Sequence, residues 1–217
     1  MPIHAVILDY GNVLCPMPRG SDFEPLRCLT GLDEHQFQDL FWRYRQDYDR
    51  GTLDGAAYWQ RVAQASGKQF SNEQIQELIA GDIALWTHPD ATLLNWARDL
   101  HNRGVKTAIL SDMPRDLALY LRRKAAWLRY FDHAVLSSEV GLVKPQTGIY
   151  EACLKGLKVR AEETLFIDDN PANVEGARAL GIHAVRFESA LQLAADVQRF
   201  GLPGFAASES MGESSPA

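Results

Sequence analysis

The sequence predicts an α/β protein: a doubly wound parallel sheet interrupted after its first strand by a helical insertion. Three observations carry that expectation. Short apolar runs recur at Ile3 to Leu8, Val105 to Leu110, His133 to Leu136, Thr164 to Ile167 and His183 to Phe187. Each is short enough for a strand and too uniformly apolar for a sheet with one wet face. The later runs are separated by helical segments of about a dozen residues, the alternation expected of parallel strands with crossover helices. About 95 residues separate the first run from the second, where an ordinary crossover needs a few tens.

The elements follow in order. Ile3 to Leu8, broken only by His4, reads as a central strand. In the insertion, Asp33 to Asp47 carries Phe37, Leu40, Phe41 and Tyr44 at helical spacing; Tyr58 to Ala65 and Ile75 to Trp86 are two further amphipathic pieces. Ser71-Asn72-Glu73 and Pro89-Asp90 carry the polar residues that open helices. The expected division is a sheet domain from residues 1–14 and 88–202, a small helical cap at 15–87, and a disordered tail at 203–217, where Ser, Ala and Gly dominate. The aromatics of the insertion, Phe41, Trp42, Tyr44, Tyr48, Tyr58 and Trp59, fit the cap's own core. Tyr44, Arg45, Tyr48 and Arg50 are less easily absorbed by packing, because they lie on or just before the turn Asp49-Arg50-Gly51-Thr52.

Composition narrows the function. With 217 residues, 46% of them hydrophobic, the chain can bury a sizeable core. A net charge of −6 argues against nucleic acid or an anionic membrane as a partner, since either calls for a clustered basic surface. The richest basic run, Arg122-Arg123-Lys124, falls in a helical segment and reads as a solvated face. No stretch approaches the roughly 20 apolar residues of a membrane span and no basic leader precedes the first strand, so a cytoplasmic protein is expected, monomer or homodimer. Cys15, Cys28 and Cys153 lack CxxC spacing and read as idle thiols, with Cys15 near enough to the first motif to reach the site mouth. The six histidines show no metal-ligand spacing. G-x-S-x-G, Walker A and G-x-G-x-x-G sequences are absent, which removes serine hydrolase, P-loop and dinucleotide readings.

Polar groups punctuate the strand ends instead. Asp9-Tyr10-Gly11-Asn12 follows the first run, Ser111-Asp112 the second, Lys144-Pro145 a later loop, and Asp168-Asp169-Asn170 the fourth run. Open α/β sheets gather such groups from separate strands into one crevice. Adjacent carboxylates repel unless a cation offsets them, and hard oxygen ligands on rigid strand ends suit Mg²⁺. Three acids and a lysine converging there point to Mg²⁺ and phosphate. Ser111 can hydrogen-bond a phosphate oxygen, helped by the backbone N–H of Asp112. The Asp112 side chain adds negative charge beside an anion site, which opposes phosphate binding unless Arg115 pairs with it.

This ordered set resembles the haloacid dehalogenase superfamily over residues 3 to 200, most closely its phosphatases with a helical cap after the first strand. The resemblance implies a Rossmann-like core, Asp9 as nucleophile, Ser111 as the second-motif hydroxyl and Lys144 as the third-motif lysine. It implies metal ligation by Asp9, the backbone carbonyl of Gly11, Asp169 directly and Asp168 through water, with Asn173 at a polar supporting position. Asn12, Asp112 and Arg115, with the cap residues Tyr48 and Arg50, are the expected substrate contacts. The pattern departs at Gly11, where the family usually has a second aspartate. This Asp-x-Gly-Asn form resembles the branch with glucose-1-phosphatase-like proteins and the phosphatase domain of soluble epoxide hydrolases.

The implied activity is Mg²⁺-dependent hydrolysis of a small phosphorylated metabolite, such as a sugar phosphate, through an aspartyl-phosphate. Two alternatives stay open: 2-haloacid dehalogenation by the same aspartate without metal, and a catalytically weak phosphometabolite-binding protein. Gly11 cannot protonate a departing oxygen, so readily departing groups should be favoured unless the cap supplies another acid.

Overall fold

Five parallel strands form one sheet in the computed structural model, which describes residues 2–206. They are β1 (Ala5–Leu8), β2 (Lys106–Ser111), β3 (His133–Leu136), β4 (Thr164–Asp168) and β5 (His183–Arg186), in the order β3-β2-β1-β4-β5. The register pairs Leu8 with Ile109 on one side and with Ile167 on the other, so the carboxyl ends of β1, β2 and β4 are level. Every apolar run of the sequence became a strand, with ends shifted by no more than a residue or two.

Alternation along β1 explains the two-faced burial. Ala5 and Ile7 face one hydrophobic cluster, while Val6 and Leu8 face another. The insertion contains α1 (Glu24–Thr30), α2 (Glu34–Arg43), α3 (Arg45–Arg50), α4 (Gly55–Ser66) and α5 (Asn72–Leu85). Beyond it come α6 (Ala91–Asn102), α7 (Arg115–Lys124), α8 (Ser137–Val140), α9 (Thr147–Leu157), α10 (Pro171–Arg178) and α11 (Ala190–Asp196). Ile149, Tyr150 and Cys153 of α9, with Val174 and Ala177 of α10, cover one face. Leu93, Trp96 and Leu100 of α6, Leu117 and Leu121 of α7 and Leu193 of α11 cover the other. Among the described residues no helix is long and apolar enough to cross a membrane.

A third cluster lies within the insertion, where Phe37, Phe41, Tyr48, Tyr58 and Trp59 pack together. The expected helix over Asp33 to Asp47 is broken at Tyr44, whose φ of −107° and ψ of 6° leave the helical region, and α3 starts afresh at Arg45. The start signals are real caps. Ser71 Oγ accepts the Gln74 backbone N–H while Gln74 Oε1 accepts the Ser71 backbone N–H, and Asp90 accepts the Leu93 amide at 2.9 Å. The helix α1 had no periodic signal of comparable length. The expected tail begins too early at 203, because the Pro203 carbonyl accepts the Trp96 indole N–H at 2.9 Å and Phe205 packs on the Trp96 ring. Its remainder, 207–217, lies outside the described residues.

Candidate active site

The strand order reverses between β1 and β4, and the carboxyl end of such a switch point is where an open sheet leaves a crevice. Asp9 steps off β1 there, still tied to the sheet by its N–H on the Ile167 carbonyl at 2.9 Å. Asp168 closes β4 and is fully buried. Lys144 reaches between them, with its ammonium 2.8 Å from Asp9 Oδ1 and 2.7 Å from Asp168 Oδ2. Burial opposes the lysine's charge, but Asp9, Asp168 and Asp112 outweigh it and hold Lys144 above the usual lysine range.

Each remaining oxygen of Asp168 is accounted for. Its Oδ1 accepts the Asn170 amide at 2.8 Å, and the Asn173 side-chain amide lies 3.1 Å from both oxygens. Asn173 thus braces Asp168, in keeping with a supporting position. Asp169, half-buried, points back toward the first motif. One oxygen each from Asp9, Asp168 and Asp169 lies within 4.8 Å of the others. Three carboxylates against one ammonium leave a formal −2 when all are ionised, and this set of hard oxygens fits Mg²⁺. Burial, helped by the nearby Asp168 and Asp112, outweighs the opposing Lys144 and pushes the Asp9 carboxyl up to about 8.

These groups line a cavity of about 270 Å³. Asp9, Ser111 and Lys144 form its base, and Trp42, Arg45, Asp49 and Trp86 come from the insertion. Gly11 also lines it; a side chain there would meet the Trp86 ring, since an added Cβ would lie 3.6 Å from Cζ3.

Several expected substrate contacts lie elsewhere. Asn12 adopts the left-handed region, φ 56°, and donates its side-chain amide to Asp169 Oδ2 at 2.9 Å, so it orients an acid. Tyr48 is buried, stacks on Tyr58 and donates its hydroxyl to Asp116 at 3.1 Å; it joins the insertion to the sheet domain and does not line the cavity. Arg50 is half-buried and also off the cavity wall, although its charge acts on Asp112. Arg115 is exposed and makes no ion pair or hydrogen bond among the described residues. Arg115 does not pair with Asp112, which turns both oxygens onto the Lys144 backbone N–H, at 3.1 and 3.2 Å. Asp112 therefore steadies the lysine loop, and burial raises its pKa. Cys15 is buried beneath the first-motif loop and stays off the cavity wall.

Trp42, Trp86 and Asp49 line the site without belonging to any sequence motif, and Arg45 finds its partners only in the fold. The spacing of Arg45 and Asp49, four apart on one short helix, was the available signal.

Residues 3–181 match the family model for haloacid dehalogenase-like hydrolases. The chain belongs to this family. Its α/β core carries a helical insertion after the first strand.

A sesquiterpene phosphatase, astK, of Aspergillus oryzae is 31% identical over 103 residues, 48% of this chain and 53% of that protein. The chain thus spans about half of that relative's length. The ribulose-1,5-bisphosphate 5-phosphatase of Halopiger xanaduensis is 25% identical over 203 residues, covering 85% of this chain and 84% of its own. Among solved structures, a haloacid dehalogenase-family enzyme of Bacteroides thetaiotaomicron in complex with magnesium and inorganic phosphate superposes with a TM-score of 0.69 at 21% identity, covering 86% of this chain and 94% of that one. The L-2-haloacid dehalogenase of Xanthobacter autotrophicus with chloropropionic acid covalently bound gives 0.63 at 20%, covering 91% and 83%. At these identities the two structures speak for the fold.

Proposed function

We propose that this hydrolase is a Mg²⁺-dependent phosphatase of a small phosphomonoester, a sugar phosphate being the class that the Asp-x-Gly-Asn motif favours, and that Asp9 is its nucleophile. The observation that carries this reading is Lys144, whose ammonium bridges Asp9 and Asp168 beside a third acid within 4.8 Å. A carboxylate can attack a phosphate dianion only if the charge between them is compensated. Lys144 supplies one positive charge. Asp9, Asp168, Asp169 and the Gly11 carbonyl would hold Mg²⁺, which when bound supplies the remaining compensation and polarises the phosphoryl oxygens.

The side chains divide the work. Asp9 Oδ attacks phosphorus, giving an aspartyl-phosphate that water later opens. Ser111, buried on the cavity base, offers its hydroxyl to a phosphoryl oxygen. Asn12 and Asn173 hold Asp169 and Asp168 in place, and Asp112 fixes the backbone of Lys144. The insertion acts as the cap over residues 15–87 and selects the leaving portion through Trp42, Arg45 and Trp86. Two phosphatases among the relatives support this reading at the level of reaction type. The dehalogenase reading is weaker, because Asp168 and Asp169 would repel a carboxylate substrate unless a cation were bound.

Hydrolysis of 4-nitrophenyl phosphate by purified protein tests this directly. Turnover should require Mg²⁺, stop with EDTA, and fall at least about 10³-fold in Asp9→Asn, because the amide cannot accept the phosphoryl group. EDTA-insensitive turnover, or an active Asp9→Asn protein, would contradict it.

A further inference from the structure

We propose that Asp49, on cap helix α3, is the catalytic acid that protonates the departing oxygen, the role that no side chain at Gly11 can fill; this rests on the phosphatase reading of the site. Four carboxylates line the cavity: Asp9, Asp49, Asp112 and Asp169. Asp9 is the nucleophile, Asp169 belongs to the metal set, and both oxygens of Asp112 are held by the Lys144 amide. Asp49 remains. Its Oδ1 accepts Arg45 Nε at 2.9 Å, while Oδ2 takes no hydrogen bond among the described residues. The side chain keeps 16% of its surface accessible, enough to meet a ligand in the cavity.

The residue is anchored to the sheet domain. Its backbone carbonyl accepts the Ser137 hydroxyl from α8, and Ser137 Oγ in turn accepts the Met113 amide at 2.9 Å beside the end of β2. Gly51, at φ 83°, lets α3 end directly on α8: an added Cβ would lie 2.9 Å from the Ser138 carbonyl. A cap residue held at two points against the start of α8 keeps a fixed place on the cavity wall that it shares with Asp9, as proton transfer requires.

The charges around it suit an acid. Burial is the largest influence and raises its pKa; Asp112 from the loop after β2 and Asp82 from α5 raise it further, and Arg45 lowers it. The balance lies at about 6. Arg45 is itself shared with Asp82, whose two oxygens lie 2.9 and 3.0 Å from its Nη1. Tyr58 of α4 also faces this group, and Arg50, next in the chain, acts on Asp112. An acid near 6 carries its proton below that pH and, once it has given the proton up, serves as a base.

The step balances. As Asp9 Oδ bonds to phosphorus, the P–O ester bond breaks and its electron pair takes the Asp49 proton, releasing an alcohol. The Asp49 carboxylate then accepts a proton from the water that attacks the aspartyl-phosphate, regenerating both carboxyl groups and releasing inorganic phosphate.

The test is Asp49→Asn, whose amide oxygen can still accept from Arg45. A primary alkyl phosphate needs protonation of its leaving oxygen, so its kcat/KM should fall about 10²- to 10⁴-fold. That of 4-nitrophenyl phosphate, whose leaving group departs as an anion, should fall about threefold. In the wild type, kcat/KM for the alkyl phosphate should decline above about pH 6, a limb the variant lacks. Parallel losses on both substrates, or an unchanged alkyl-to-aryl ratio, would overturn the proposal. Should the variant fail to fold, a steep dependence of wild-type kcat/KM on leaving-group pKa would do the same. Asp9-dependent aryl turnover with an unchanged ratio overturns this inference alone; no turnover at all by the wild type overturns the phosphatase reading and this inference together.

Discussion

Two buried clusters in this protein have the same charge pattern and opposite surroundings. At the strand ends, Lys144 sits between Asp9 and Asp168; in the cap, Arg45 sits between Asp82 and Asp49. Each places one cation between two acids, leaving a formal −1. The first is surrounded by polar groups: a third acid, the Asn12 and Asn173 amides, and the backbone N–H of Asn170. The second is enclosed by rings, with the Arg45 guanidinium 5.2 Å from Phe41, 5.4 Å from Tyr48 and 5.8 Å from Trp86. A surplus negative charge among polar groups invites a cation and a phosphate. The same surplus among aromatics is contained by a planar cation stacked on their faces, and one acid is left able to hold a proton.

The contrast predicts that removing the two cations damages different properties. Lys144→Ala should cost about 10²- to 10³-fold in kcat/KM for aryl phosphate while Mg²⁺ binding survives, because the acids remain. Calorimetric titration should show Asp169→Ala losing Mg²⁺ affinity and Lys144→Ala keeping most of it; equal losses would mean that the lysine holds the metal set together. Arg45→Ala should instead appear in thermal unfolding. It strands Asp49 and Asp82 without their cation, and breaking a buried pair costs about 3–5 kcal/mol. A Tm close to the wild type would show that water or protonation relieves those acids.

A smaller effect follows from the acids of both clusters. Burial above all pushes the Asp9 carboxyl up to about 8 and the Asp49 carboxyl up to about 6. A carboxyl whose pKa is higher folded than unfolded contributes stability only while protonated, so the contribution is complete below about pH 4 and lost as pH rises through 6 and then 8. The metal-free protein should therefore melt at lower temperature near pH 8.5 than near pH 5, and added Mg²⁺ should recover more at the higher pH. If Mg²⁺ raised the Tm equally at both, the Asp9 cluster would not be the group that titrates.

Tyr48→Phe should be the mildest change. It removes the hydrogen bond to Asp116, worth about 0.5–1.5 kcal/mol, and should leave the ranking of substrates intact because the ring faces Tyr58. Trp42→Ala should reorder that ranking, since Trp42 lines the cavity with 40% of its surface exposed. A reordered ranking in Tyr48→Phe would return Tyr48 to the substrate contacts from which its burial removes it.

What the amino-acid sequence determined by itself was the sheet, the helix starts and the order of the polar motifs. Apolar runs buried on both faces fix strands, and caps such as Ser71 and Asp90 act within one turn, so both are legible from neighbours alone. The meeting of Asp9, Ser111, Asp168 and Asp169 was legible because the ends of adjacent parallel strands must converge, whereas Lys144, on the loop before α9, was pointed to by the family resemblance. The tertiary structure alone decided what each flanking polar group faces. Asn12 meets Asp169 across 157 residues, Arg45 meets Asp82 across 37, and Ser137 ties down Asp49 across 88. Such pairings depend on how the insertion packs onto the sheet and on which buried charge lacks a partner, and no local periodicity encodes either.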